Sequence, residues 1–197
     1  MKKGFSLAEV LITLGIVGVV SAMTMPVLIA NIRHTELESR FKKTTAELQT
    51  ALQKVQFDEG VTIYGHITSA HNDIAKVLAK QFKTSYIPYW EAIRSGFLKN
   101  KELKYKSYNG LTDFSPYNLD DGTIIVNDEF FIFIDNRSYE LKNQQIYIDT
   151  NGFKKPNREG YDLFKFCLSE GDKIDYNCDT YSQKALTEKD YFKKLPR

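Results

Sequence analysis

An α+β fold, one long N-terminal helix followed by a small antiparallel sheet, is what this 197-residue sequence predicts. Three observations carry the expectation. No residue from Val10 to Ala30 is charged, a run of 21. From Asn31 to Phe57 apolar residues recur at helical spacing. From Asp121 onward, short apolar runs alternate with turn dipeptides. Composition sets the outer bounds. The length allows one ordinary domain plus an appendage. With 27 basic and 25 acidic side chains the net charge is only +2, which gives no global case for nucleic-acid or acidic-lipid binding. Gly (11) and Pro (5) are too sparse for collagen-like or low-complexity classes. Two cysteines are too few for a Cys-based zinc site or a disulfide-dense scaffold.

The charge-free run exceeds the roughly 18 to 20 residues a helix needs to cross about 30 Å of hydrocarbon. It is too long for an ordinary secretory signal, whose apolar core is about 7 to 15 residues and ends at a small-residue cleavage site. Ala22-Met23-Thr24-Met25-Pro26 offers no such site. Glu9, just before the run, is the residue to explain, because an ionised carboxylate entering a membrane is costly without a partner. No Lys, Arg or His lies between Glu9 and Arg33. One reading is that a cut after Gly4 gives Phe5 a new α-ammonium. Glu9 would then favour its own helix N-terminus, or neutralise the amine of a neighbouring subunit. The other reading is that Glu9 snorkels at the bilayer edge.

Lys2-Lys3-Gly4, Phe5-Ser6-Leu7-Ala8-Glu9 and the unbroken apolar helix together resemble the N-terminus of type IV pilins and type II secretion pseudopilins. The resemblance covers about the first thirty residues and is specific, because cleavage site, Phe, Glu and helix occur in the family's order. It implies that a prepilin peptidase/methyltransferase cuts between Gly4 and Phe5 and N-methylates Phe5. It also implies that Glu9 takes part in subunit assembly. Gly18 and Pro26 match positions where the family's helix loosens in filaments, and a proline inside a helix removes a backbone hydrogen bond and crowds the preceding turn.

The next segment, 31–57, carries Leu37, Phe41, Leu48, Leu52 and Val55 on one stripe, with charged residues on the other faces. A helix from Phe5 to Phe57 would be roughly 80 Å long at about 1.5 Å per residue. The expected organisation is therefore a leader (1–4), a hydrophobic transmembrane and assembly helix (5–30), an amphipathic helix (31–57) and a globular α+β head (58–197). This is a pilin-like layout, in which the amphipathic half packs on a small antiparallel sheet. A single-pass anchor followed by an unrelated core helix is the alternative. In the head, Ile74, Val77, Leu78 and Phe82 predict a helix capped by Asn72 or Asp73 and broken at Ile87-Pro88. Trp90, Ile93, Phe97 and Leu98 start a second short helix. Strands are expected at Thr123–Val126, Phe130–Ile134, Gln145–Ile148 and around Phe164–Phe166, in a meander of three or four.

Export of the head would let Cys167 and Cys178 form one bridge, as many type IV pilins do near the C-terminus; two unpaired thiols are the alternative. Asp149, Asn151 and Asp162 are calcium candidates in an Asp-x-Asn-Gly … Pro-Asn … Gly-x-Asp segment. A β-turn followed by a Pro-Asn loop accounts for the same residues. No cofactor is otherwise implied. Residues 83–109 interleave basic and aromatic side chains in a pattern that single-stranded nucleic acid binders share, but aromatics at helical spacing are more often core. Neither a P-loop, a dinucleotide fingerprint nor a catalytic set is present, so the chain reads as an enzyme's substrate rather than an enzyme. The expected partners are the prepilin peptidase, other pilin or pseudopilin subunits and the inner-membrane assembly platform. The expected location is the bacterial cytoplasmic membrane, single-pass with the head outside, then a periplasmic or cell-surface filament. The competing reading is an anchored binding module, an adhesin or DNA-uptake receptor, that never polymerises.

Overall fold

The computed structural model describes residues 4–60, 62–66, 73–84, 86–88, 91, 103–115, 119, 121–135 and 145–176. The chain forms two compact units, Met1–Glu38 and Ser39–Arg197. One helix, α1 (Leu7–Glu59), contributes to both. It is unbroken at Gly18 and contains Pro26. From Val10 to Ala30 it is uncharged, mostly apolar and exposed almost throughout, Val10 at 42% and Met23 at 73%. Such a surface is stable only in lipid or against other apolar helices.

In the second unit α1 becomes one-sided. Phe41, Thr44, Thr45, Leu48, Ala51, Leu52 and Val55 are buried. The two threonines widen the apolar stripe that the sequence shows. Their hydroxyls are satisfied on the preceding turn, Thr44 Oγ1 on the Arg40 carbonyl at 3.0 Å and Thr45 Oγ1 on the Phe41 carbonyl at 2.6 Å. Two further helices follow, α2 (Ile63–His66) and α3 (Asp73–Gln81).

The sheet has six antiparallel strands in sequence order: β1 (Tyr86–Pro88), β2 (Gly122–Val126), β3 (Phe130–Asp135), β4 (Gln145–Asp149), β5 (Leu163–Ser169) and β6 (Lys173–Asp175). The β2–β3 hairpin turns on Asn127 and Asp128, both with positive φ (49° and 57°). Two such residues define the turn whose twist suits a two-residue hairpin, and the Glu129 N–H closes it on the Val126 carbonyl at 2.9 Å. At Gly122 an added Cβ would lie 2.6 Å from Ala75 Cβ, so α3 sits on β2 at a distance only glycine allows.

Alternation along the strands divides the core in two. Ile124, Val126, Phe130, Ile132, Ile134, Ile146, Ile148, Phe164, Phe166 and Leu168 pack with α1 and α3. Phe41 meets the Phe164 ring edge-on at 4.6 Å. On the opposite face Phe131, Phe133, Tyr147 and Leu163 pack under Leu103, Tyr105 and Leu119. The sheet is thus covered on both sides, which is why β3 is apolar from Phe130 to Ile134 and buried along its whole length.

Two strands exceed the expected three or four. β1 contains the Ile87-Pro88 pair read as a helix breaker; it is an edge strand, the place where a proline costs no ladder bond. β6 has three residues and a single apolar side chain, too short for a periodicity signal. The second short helix expected from Trp90, Ile93, Phe97 and Leu98 lies outside the described residues.

Asp172, at the β5–β6 turn, ties three elements together. Its carboxylate accepts the N–H groups of Ile63 and Tyr64 at 2.7 Å each, capping α2. Its carbonyl accepts Gln49 Nε2 of α1 at 3.3 Å. Asp172→Ala is expected to destabilise the head by about 2 kcal/mol, because two N–H groups at the start of α2 lose their acceptor. Denaturant unfolding of the detergent-solubilised chain measures it.

Candidate functional site

The N-terminus of α1 is built from four residues. Ser6 precedes the first helical residue, Leu7, and Glu9 stands three positions on. The Glu9 N–H reaches Ser6 Oγ at 3.3 Å, while Glu9 Oε2 accepts the Ser6 N–H at 2.8 Å and the Ser6 hydroxyl at 2.9 Å. This reciprocal arrangement is a capping box, and it satisfies N–H groups that a helix start otherwise leaves open. Its signal, Ser-x-x-Glu before an apolar run, stands in the sequence but went unread there. It gives Glu9 a partner in its own chain, which the search for basic residues alone did not.

Both Ser6 donors fall on the same oxygen. Among the described residues none is seen to donate to Glu9 Oε1. Phe5, immediately before the box, is 89% exposed, and Gly4 is exposed too. A peptide bond between two exposed residues ahead of the helix is accessible to a peptidase. Gly18 has nothing within 4 Å of an added Cβ. Pro26 has no N–H to give the carbonyl one turn earlier. With Gly15, which is equally open, these are the points along the apolar run where helical order costs most to maintain.

The three calcium candidates are brought together, but the two carboxylates are taken up as hydrogen-bond acceptors and Asn151 serves as a donor. Asp149 Oδ1 takes the N–H groups of Asn151 and Gly152 at 2.9 Å each, and Oδ2 takes the Tyr105 hydroxyl at 2.5 Å. Asp162 Oδ2 takes the Asn157 N–H and Oδ1 the Arg158 N–H, both at 2.6 Å. Asn151 Nδ2 bonds the Lys155 carbonyl at 3.2 Å, while the buried amide oxygens of Asn151 and Asn157 have no hydrogen-bond partner. Every oxygen of both carboxylates therefore faces a donor hydrogen, and a cation would have to displace these donors. Among the described residues, no cluster of three or more His, Cys, Asp or Glu side chains could hold a metal ion. The geometry is that of a turn and a Pro-Asn loop organised by two internal acids.

Burial sets the ionisation of this pair. It pushes Asp149 well above the usual carboxylate range, and the neighbouring Asp162 charge adds to the effect. Burial also pushes Asp162 up to about 6, against the pull of the Arg158 and Asn157 N–H groups. Tyr105 is pushed up as well, by burial first and then by the Asp149 charge.

Cys167, on β5, is buried and disulfide-bonded; Cys178 lies outside the described residues. Most of the basic and aromatic segment 83–109 also lies outside them. Among its described aromatics Tyr105 is a core residue, 3% exposed, and Tyr86 and Tyr108 are half-buried.

Among known families, residues 1–25 match the one described as the prokaryotic N-terminal methylation motif. No curated protein and no solved structure matches the chain. The match covers Gly4, Phe5, Ser6, Glu9 and Gly18 and stops one residue short of Pro26. The motif and the apolar part of α1, which is long enough to cross a membrane, together support membrane anchoring. They also suggest a structural subunit rather than an enzyme. Over its first 25 residues this chain carries the N-terminal methylation motif that is the signal of type IV pilin and pseudopilin precursors.

Proposed function

We propose that the chain is a prepilin-type structural subunit, cut between Gly4 and Phe5, N-methylated at Phe5 and assembled into a pilus-like or pseudopilus filament. The observation that carries this reading is the coincidence, over residues 1–25, of the methylation motif with an exposed cleavage site, a capping box and an apolar helix. Before assembly the apolar part of α1 lies in the cytoplasmic membrane with the head outside. After extraction the same surface packs against other copies in the filament core, where water is again excluded. Glu9 offers its carboxylate to the N-terminal ammonium of a neighbouring subunit, which offsets two charges that would otherwise be buried alone. Gly18 and Pro26 let the helix loosen as the copies come together. An exported head agrees with a disulfide at Cys167, since such bonds persist outside the reducing cytoplasm. Cys178, the other cysteine of the sequence, is the partner we propose for it.

The test is the N-terminus of the protein recovered from its native membrane or from sheared surface material, by intact mass and N-terminal peptide mapping. The expected species begins at N-methyl-Phe5. An intact Met1, in cells that process other prepilins, would overturn the reading and leave a static anchored module, adhesin or receptor, as the better account. Retained Lys2 and Lys3 would then hold the anchor in place by the positive-inside rule.

A further inference from the structure

Gly4, Phe5 and Ser6 stand outside α1, which begins at Leu7. The Gly4–Phe5 bond is thus separated from the first helical residue by Phe5 and Ser6 alone. What fixes that boundary is Ser6. Its carbonyl accepts the first helical hydrogen bond, from the Val10 N–H at 3.2 Å, while its Oγ accepts the Glu9 N–H at 3.3 Å. Ser6 is therefore the N-cap, a position whose own backbone is not helical. Glu9 completes the stop from the other side by taking the Ser6 N–H at 2.8 Å.

The stop matters more here than on an ordinary helix. Val10 to Ala30 carries no charge, and apolar surroundings offer no water to the N–H groups of a first turn. An uncapped start has another way to satisfy them, which is one more turn wound upstream, whose carbonyls accept those N–H groups. A turn takes about 3.6 residues, so from Leu7 it would take in Ser6, Phe5 and Gly4. The Gly4–Phe5 bond would then lie inside the helix, its carbonyl committed to a helical hydrogen bond. Peptidases act on exposed segments free of such structure, whose backbone groups can pair with the enzyme. Gly4 and Phe5 have that form as they stand, with Phe5 89% exposed.

Resting on the processing proposed above, we propose that Ser6 is a positioning residue for cleavage: its cap holds the start of α1 at Leu7 and so keeps the Gly4–Phe5 bond available to the peptidase. The Glu9 carboxylate is secondary in this role, because Glu9→Ala leaves Ser6 Oγ its helix N–H.

The test follows cleavage of the full-length precursor over time by intact mass, in cells that process prepilins. Ser6→Ala is expected to slow cleavage about fivefold, the shift in a helix-start equilibrium that follows loss of a serine cap. Ser6→Asn, an equally good cap, is expected to be cleaved at the wild-type rate. Leu7→Pro supplies a second readout. Proline at the first helical position sets the start without a side-chain cap, and the residue before it disfavours helix. In that background Ser6→Ala is expected to change nothing relative to Leu7→Pro alone. Equal rates for wild type and Ser6→Ala would overturn the proposal. So would the same slowing by Ser6→Ala with and without Leu7→Pro, which would mean that the peptidase reads the serine side chain itself. A wild-type chain that keeps Met1 is a different result: the processing reading fails, and this role with it.

Discussion

Replacing Glu9 with Ala is expected to leave cleavage after Gly4 and methylation of Phe5 intact while reducing incorporation into filaments to background. In the proposed processing the peptidase would act on the exposed bond ahead of the helix, and Glu9 stands five residues beyond the Gly. Assembly as proposed would, in contrast, bring an N-terminal ammonium into an apolar bundle, where an unpaired charge is strongly disfavoured. The structure makes a sharper control available. Because Glu9 also closes the capping box with Ser6, a defect in Glu9→Ala could come from a frayed helix start as readily as from a lost charge. Gln can close the same box. Glu9→Gln is therefore expected to keep the helix start and still fail to assemble. The measurement is the ratio of sheared to membrane-retained protein, with N-terminal mass confirming processing in each variant. If Glu9→Gln assembles like wild type, the carboxylate serves only as a cap and its pairing with a neighbour's amine is wrong.

The parts of the molecule that were legible beforehand are those where one physical signal dominates. The charge-free run, the stripe Phe41–Leu48–Leu52–Val55 and the turn-bounded strands β2 to β5 each follow from periodicity or length, and the structure has them within one or two residues except at the end of β5, which runs three residues past Phe166. What was missed depends on pairing in space. β1 and β6 are three-residue edges that exist because β2 and β5 offer them a partner. The layer over the second face of the sheet rests on Leu103, Tyr105 and Leu119, scattered residues without a period. At the site, Glu9 stood out as a charge entering a membrane. Its link to Ser6 did not, because a capping box is a hydrogen bond to a neutral residue and leaves no trace in the pattern of opposite charges. Asp149 and Asp162 were visible as a pair of acids in a Gly- and Asn-rich segment. Only the structure shows that their oxygens are occupied by backbone N–H groups and the distant Tyr105 hydroxyl.

That occupied pair gives the head an unusual pH dependence, and its sign follows from linkage. The folded-state pKa of Asp162 is raised from 3.8 to about 6, so between those values the folded chain binds more protons than the unfolded one. Stability must then fall as pH rises through this window and level off above it. A shift of about two units corresponds to about 3 kcal/mol. Asp149 is raised too, chiefly by its burial, and acts in the same direction. The opposing groups are weak. Asp113 and Glu129 are held below the usual range by Lys106 and Lys43, but both carboxylates are exposed and solvent screens their pairs. The head is therefore expected to unfold at higher denaturant near about pH 5 than near about pH 7.5, the reverse of a protein held by exposed ion pairs. Asp162→Asn is expected to flatten that slope. The variant also loses an acceptor for Asn157 or Arg158, so its stability is lower at every pH and the slope is the quantity to compare. A wild-type stability that climbs steadily from about pH 4 to 7 would mean that the backbone donors outweigh burial and hold both acids ionised.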